Sequence, residues 1–524
     1  MRLLLTLLIL GLSYSISAQK LRFKVIGQKD TTVHLVKYYG KGLYYADTAK
    51  MKNGVVTFEG KKQKPGIMAL LLPGQKYFEF IFNNEEVDIQ TNLSDFIATM
   101  KVVKSEENKV FQAYVKYIGD KKTIANAKSQ EMEKLAKTDP AFISLRKEID
   151  VISKEVLDYQ NLLITTHPKM LSAKIIKMSL DVELPESPKN VDGSLKDSSF
   201  TYRYFRDHYW DNTDIKDDRL VNSPIFHNKL ENYFSKNVLL QHPDTIVKYS
   251  FLLCDKMDQK SETFKYVVSW ITSNFEKSNI MGMDKVFVKM GARYYCSKNK
   301  EGKSPAYWMA EDKLANLCEK VEKNIHIVQG EVPPNISLRD TTDKVWRDFY
   351  SLKSDYTILY FWEASCGHCK KTTPKLETLY SKKLKARNVE IFAVGKATGE
   401  EFLLWKKFIR ENKLSFINVG MTPSLYEKSM ENASQFIPKY TTLEALNYQK
   451  TYDVFSTPRV FVLDKDKKII AKSLSIAQLE EFLDRLQGHE KDVKLFPIEE
   501  EKKEDKIDEE KEKSENDKRQ EGGK

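Results

Sequence analysis

Cysteine is scarce in this chain. There are five in 524 residues: Cys254, Cys296, Cys318, Cys366 and Cys369. So few exclude a fold held together by a disulfide framework, and the spacing of the last two matters more than the count. Glycine (21) and proline (16) are also sparse, which excludes collagen-like and Pro/Gly-rich low-complexity chains. Beyond the N-terminal segment, no apolar run approaches the roughly 20 residues that span a bilayer. The net charge is +11, from 85 Lys+Arg against 74 Asp+Glu, but no arginine-rich stripe or nucleic-acid motif accompanies it. The charge therefore reads as solubility or weak attraction to an anionic envelope surface, with no nucleic-acid partner.

What is present suffices for several cores. Hydrophobic residues make up 41% and aromatics 11%, and the length fits about three domains of roughly 150 residues. Met1-Arg2, the apolar run Leu3–Leu12 and a small-residue exit at Ala18 read as a cleaved secretory signal over 1–18. No cysteine lies at the cleavage point, so a lipid-modified N-terminal cysteine is not expected. The mature chain is expected to be soluble in a non-cytosolic space.

Residues 19–104 alternate apolar and polar positions between Gly, Pro and Asn breaks, which predicts an antiparallel β-sandwich. Residues 105–325 switch to helical spacing, as at Phe111, Tyr114, Val115 and Ile118, and predict an all-α domain, with long exposed helices between about 120 and 160. Within it, His208-Tyr209-Trp210-Asp211 and Asp214–Asp218 read as a buried structural corner, with a binding site as the alternative. After the linker Gly330–Pro334, strands and helices alternate over 326–488, the pattern of an α/β domain. The segment 421–450 interrupts that alternation; it would line a substrate groove or decorate an edge. Residues 489–524 predict a disordered charged tail, because residues 499–524 hold 12 acidic and 8 basic side chains.

The chemistry concentrates at Cys366-Gly367-His368-Cys369, between an apolar strand at Thr357–Trp362 and a helix over Cys366–Ser381. A cysteine at a helix N-terminus faces free backbone N–H groups and the positive end of the helix dipole, and both favour an anion. Cys366 is thus the expected nucleophilic thiolate. Cys369, one turn into the helix, is the expected resolving thiol, and the two would form a reversible disulfide. His368 would stabilise the thiolate when protonated and so favour the reduced form. A zinc half-site is the competing reading, but no partner ligands have suitable spacing, so no metal and no cofactor beyond the dithiol is expected. Pro374 should kink the helix. Ser456-Thr457-Pro458, just before the strand Val460–Leu463, is a candidate cis-proline loop whose Thr457 backbone could pair with an extended substrate. With Trp362, Thr457 and Pro458 are the candidate substrate-binding residues. Cys254, Cys296 and Cys318 allow either one disulfide with a free buried thiol or three buried thiols.

Tyr360–Cys369 and Tyr452–Pro458 resemble the TlpA/ResA-like branch of the thioredoxin superfamily over about 330–488. The preceding 300 residues resemble the front half of large envelope proteins of this kind, whose β and helical domains have no assigned function. The resemblance implies a thioredoxin fold, a cell-envelope location and disulfide exchange, with Cys366 attacking, Cys369 resolving and Pro458 as the cis-proline. The sequence departs from the pattern at three positions. Tyr360 stands where thioredoxins carry a buried acid. Thr372 stands where the ResA-like branch carries a glutamate. Ser365 replaces the usual tryptophan. Glu363 and Glu377 remain as candidate proton acceptors for Cys369, each also readable as a surface carboxylate. The expected function is an envelope thiol–disulfide oxidoreductase acting on protein thiols and disulfides. Its direction is open, and the reducing direction would need a membrane thiol–disulfide electron donor. The alternative is an envelope scaffold that binds a client or partner through its N-terminal domains and carries a redox-inert thioredoxin-like module.

Overall fold

The structure is a computed structural model and describes residues 19–499. The expected signal segment and most of the charged tail lie outside the described residues. The chain forms two compact units. One comprises residues up to 241 together with 251–269, the other residues 242–250 together with 270 onward. The helical stretch expected as one domain, 105–325, is thus shared between them.

The first unit opens with β1 (Lys20–Ile26), β2 (Thr31–Tyr39), β3 (Gly42–Met51), β4 (Val55–Glu59), β5 (Gly66–Leu72), β6 (Lys76–Phe82), β7 (Val87–Asn92) and β8 (Lys101–Lys104). They form two four-stranded sheets, in the orders β4-β1-β7-β8 and β3-β2-β5-β6. The inward residues of both sheets, Leu21, Phe23, Leu35, Met68, Leu70 and Phe80 among them, build one core. The sandwich is not wholly antiparallel as expected: β1 pairs with β7 in parallel.

Two long helices follow, α1 (Glu106–Met132) and α2 (Pro140–Thr166). They pair through Tyr117 and Tyr159, whose rings lie 4.3 Å apart, and through ion pairs such as Lys128–Glu148. Among their side chains Glu107 and Asn108 are buried and fully used. Asn108 bonds both the N–H and the carbonyl of Ile81, pinning α1 to the sheet. The Glu107 carboxylate accepts the N–H groups of Leu171 (2.7 Å) and Ser172 (2.9 Å), capping α3 (Leu171–Met178).

Farther along are α4 (Phe200–His208), α5 (Pro224–Tyr233), α6 (Pro243–Cys254), α7 (Glu262–Glu276), α8 (Asp284–Gly291) and α9 (Glu311–Asn324). The polar-aromatic segment is a packed corner. Tyr209 and Trp210 are buried, the Tyr209 hydroxyl donates to the Lys229 carbonyl, and Asp217 holds both Lys174 and Arg219.

The second unit carries a seven-stranded sheet. Its strands are β9 (Ser337–Asp340), β10 (Trp346–Asp348), β11 (Tyr356–Trp362), β12 (Val389–Gly395), β13 (Ile417–Gly420), β14 (Arg459–Leu463) and β15 (Ile469–Lys472). The order is β10-β9-β13-β12-β11-β14-β15, with β11, β12 and β13 parallel. β11 is central and covered on both faces, which is why it reads as an unbroken apolar run.

On one face lie α10 (Gly367–Leu379), α11 (Glu401–Glu411) and α15 (Ile476–Leu486), with Tyr360, Trp362, Leu376, Trp405 and Leu479 in their core. Gly395 permits this packing: a Cβ there would stand 2.1 Å from Nε1 of Trp405. On the other face, Leu359 and Phe361 meet residues from α12 (Pro423–Asn432), α13 (Leu443–Leu446) and α14 (Tyr448–Thr451). The segment 421–450 lies beside the edge strands β9 and β10, through Trp346 on Tyr440 and Ser337 with Thr441, and also enters the core. Its Leu425, Phe436 and Tyr448 close the second face of the sheet.

The start of the expected tail is also ordered. The N–H groups of Leu495 and Phe496 donate to buried Glu480 (2.8 Å each), and Lys494 pairs with buried Asp484 at 2.5 Å. Apolar Leu495 and Phe496 interrupt the charge and pack on the α15 side of the core. No helix among the described residues is long and apolar enough to cross a membrane.

Candidate active site

β11 ends at Trp362, and a tight turn, closed by the Cys366 N–H donating to the Glu363 carbonyl (3.2 Å), delivers Cys366 to the N-cap of α10. There its Sγ accepts the N–H of Cys369 at 3.4 Å. Its thiol also donates to the carbonyl of Thr457 at 3.3 Å. The Thr457–Pro458 peptide is cis. Arg459 donates to the Asp453 carbonyl and lies 3.6 Å from its carboxylate. The structure thus brings together Cys366, Cys369, His368, Thr457 and Pro458 from two segments about 90 residues apart in sequence.

The two thiols sit in opposite environments. Cys366 is partly exposed and Cys369 fully buried; both are free thiols. Partial burial pushes the Cys366 thiol up, but the Cys369 N–H, the Thr457 and Cys369 side chains and the His368 N–H together outweigh it, and its pKa falls below the ordinary thiol value. Burial pushes Cys369 up to about 12, against the Glu363 backbone amide that favours its thiolate, and the neighbouring Cys366 adds to the rise. His368 is exposed, and the contact it gives Cys366 is its backbone amide.

Trp362 is corrected. It is 1% exposed and packs against Phe408, with ring centroids 5.2 Å apart, so it supports the site from the core and offers no substrate surface. The exposed aromatic is Phe455, at 84%, three residues before Pro458. The helix runs through Pro374 as far as Leu379.

Glu377 is fully occupied, accepting the N–H and hydroxyl of Ser415 at 2.8 and 2.7 Å. Glu363 lies 3.7 Å from Lys396. Beneath Cys369, where a carboxylate is usual, the Tyr360 and Thr373 hydroxyls bond each other at 2.8 Å, both buried. Burial holds the Tyr360 phenol well above its ordinary range, and the negative charge of either cysteine raises it further. Sequence reasoning registered the missing acid; the signal it passed over was Thr373, one helical turn beyond Cys369.

The remaining cysteines resolve into one of the two expected arrangements. Cys296 and Cys318 form a disulfide, and Cys254 is a buried thiol outside any disulfide. Among the described residues, no group of three or more His, Cys, Asp or Glu could hold a metal ion.

A family model described as thioredoxin-like matches residues 354–469. Two models described as domains of unknown function match residues 20–111 (DUF4369) and 122–305 (DUF5106). The thiol-disulfide oxidoreductase ResA of Bacillus thuringiensis is 29% identical over 162 residues, covering 30% of this chain and 78% of that protein. The ResA of a Bacillus cereus strain matches to the same extent. Among solved structures, a domain of a possible thiol-disulfide isomerase from Cytophaga hutchinsonii is 32% identical, covering 31% of this chain and 95% of that one, with a TM-score of 0.24. A thioredoxin-like protein from Bacteroides caccae is 16% identical, covering 57% of this chain and 97% of that one, with a TM-score of 0.35. The C-terminal domain is thus thioredoxin-like and similar to the TlpA/ResA-type thiol–disulfide oxidoreductases.

Proposed function

We propose that the chain exchanges disulfides with protein clients in the cell envelope, using Cys366 as nucleophile and Cys369 as resolving thiol. The observation that carries this reading is the asymmetry of the pair. One thiol is accessible, amide-capped and acidified; the other is buried and held protonated until it is needed.

In the reducing direction the Cys366 thiolate attacks one sulfur of a client disulfide. The client S–S bond breaks, a mixed disulfide forms, and the first client thiolate leaves. Cys369 then loses its proton and attacks Sγ of Cys366. The Cys366–Cys369 bond forms and the second client thiolate departs. Two electrons and two protons pass from the pair to the client. The same atoms run the reverse reaction, and the standing potential of the pair selects the direction. No cofactor beyond the dithiol takes part. Net reduction requires a membrane thiol–disulfide protein to return the electrons. The apolar run Leu3–Leu12 supports export, and the Cys296–Cys318 disulfide supports an oxidising compartment.

The test is equilibration of the purified chain with glutathione buffers, quantifying the Cys366–Cys369 disulfide. A two-electron transition is expected. A midpoint near about −180 mV assigns disulfide formation or shuffling, and one near about −270 mV assigns reduction. Absence of exchange overturns the proposal and leaves the scaffold reading.

A further inference from the structure

The loop that carries Thr457 and Pro458 has a second side. Asp453 and Arg459, which bracket it, also line a cleft of about 330 Å³. The opposite wall is helical: the α7–α8 connection at 278–282, with Phe287 of α8 and Lys320 of α9. All of it lies within the second unit. Residues 278–282 fall in the region matched by a domain of unknown function.

The cleft's chemistry narrows its occupant. Its charges are matched in pairs. Lys320 holds Glu276 at 2.7 Å, Lys472 holds Asp284, and Arg459 holds Asp453. Such a wall offers no net charge to a phosphate or a nucleotide. The α7–α8 connection adds two exposed apolar side chains, Ile280 at 49% and Met281 at 38%. The same lining includes the exposed polar residues Asn279 and Ser473. A charge-matched wall with both apolar and uncharged polar side chains suits an extended polypeptide. An unbranched methionine adapts to varied side chains, as a surface serving several sequences requires. Phe455, on the same loop, is 84% exposed.

We propose that this cleft receives the segment of client polypeptide flanking the reacting cystine. The helical region thereby supplies part of client recognition for the adjoining thiols. This rests on the exchange function proposed above.

The test compares two probes on the full chain. One is a small aryl disulfide, which reaches Cys366 without the cleft. The other is a cystine-bridged peptide with apolar residues on both sides of each cysteine. Ile280→Glu with Met281→Glu is expected to slow exchange with the peptide about tenfold and leave the aryl disulfide rate within about twofold. The milder Ile280→Ala with Met281→Ala should give a smaller loss of the same sign, without new charge. Unchanged peptide rates in both double variants overturn the cleft while the exchange function stands. Equal slowing of both probes also overturns it, because the effect is then on the thiols. If the unmodified chain reacts with neither probe, the exchange function itself falls, and the cleft proposal with it.

Discussion

At Cys366 and Cys369, identical side chains three positions apart are driven in opposite directions by where the helix places them. The N-cap position gives Cys366 backbone amides that favour the thiolate, and one turn of helix carries Cys369 into the core. Since only the thiolate is alkylated, iodoacetamide labelling of Cys366 should reach half its maximal rate at a lower pH than an ordinary free thiol does. Cys369 should stay protected until the pH approaches about 12. Mass spectrometry of the alkylated dithiol protein across a pH series reads both; equal reactivity would contradict the asymmetry. Beneath the pair, Tyr360→Phe leaves the buried Thr373 hydroxyl without its partner. A loss of about 1–3 kcal/mol is expected in urea denaturation. The position was legible in the sequence as a missing acid. Its partner was not, because a threonine within a helix has no distinguishing pattern until the fold turns it toward a strand.

At the scale of elements, burial decided what could be read. The central strand β11 and helix α15 stand out because their apolar spacing is unbroken, and α15 begins and ends where its periodicity does. β9 and β10 were missed because they are short and largely polar. β13 begins only at Ile417, and just before it the Ser415 N–H goes to Glu377 instead of a ladder. The ordered segment 489–499 was masked by the charge around it. Its anchor is testable. Burial raises the Asp484 carboxyl, but Lys494, Arg387 and Lys383 outweigh it and hold the pKa below the ordinary value. A depressed native pKa means the unfolded state binds more protons at low pH. This contribution is therefore present above about pH 4 and lost as pH falls through the native pKa. Asp484→Asn should cost about 1–3 kcal/mol at pH 7, because a buried carboxylate shared by three cations is lost, while Lys383 keeps Glu480 and Arg387 keeps Asp492. It should also flatten the acid limb of a stability–pH curve. The Cys296–Cys318 bond closes a separation of 22 residues, and replacing both cysteines with serine should cost about 3 kcal/mol in thermal or urea unfolding.

For the whole molecule, the redox function was legible because its chemistry is local: four consecutive residues and a distant Thr-Pro in the right order. The work of the first 300 residues was not, because periodicity reports burial and says nothing of what an exposed loop faces. Ile280 and Met281 gain meaning only when the fold sets them across a cleft from Asp453 and Arg459. Trp362 lost its expected role for the same reason in reverse, since a strand covered on both faces hides its aromatic residue. The central claim is that Cys366 attacks and Cys369 resolves on a polypeptide disulfide. The most direct measurement is non-reducing mass analysis of the Cys369→Ser variant after incubation with a cystine-bridged peptide. The account predicts a stable one-to-one adduct at Cys366 that dithiothreitol releases, and none when Cys366→Ser is added. An adduct that persists without Cys366, or no adduct in the single variant, would contradict it.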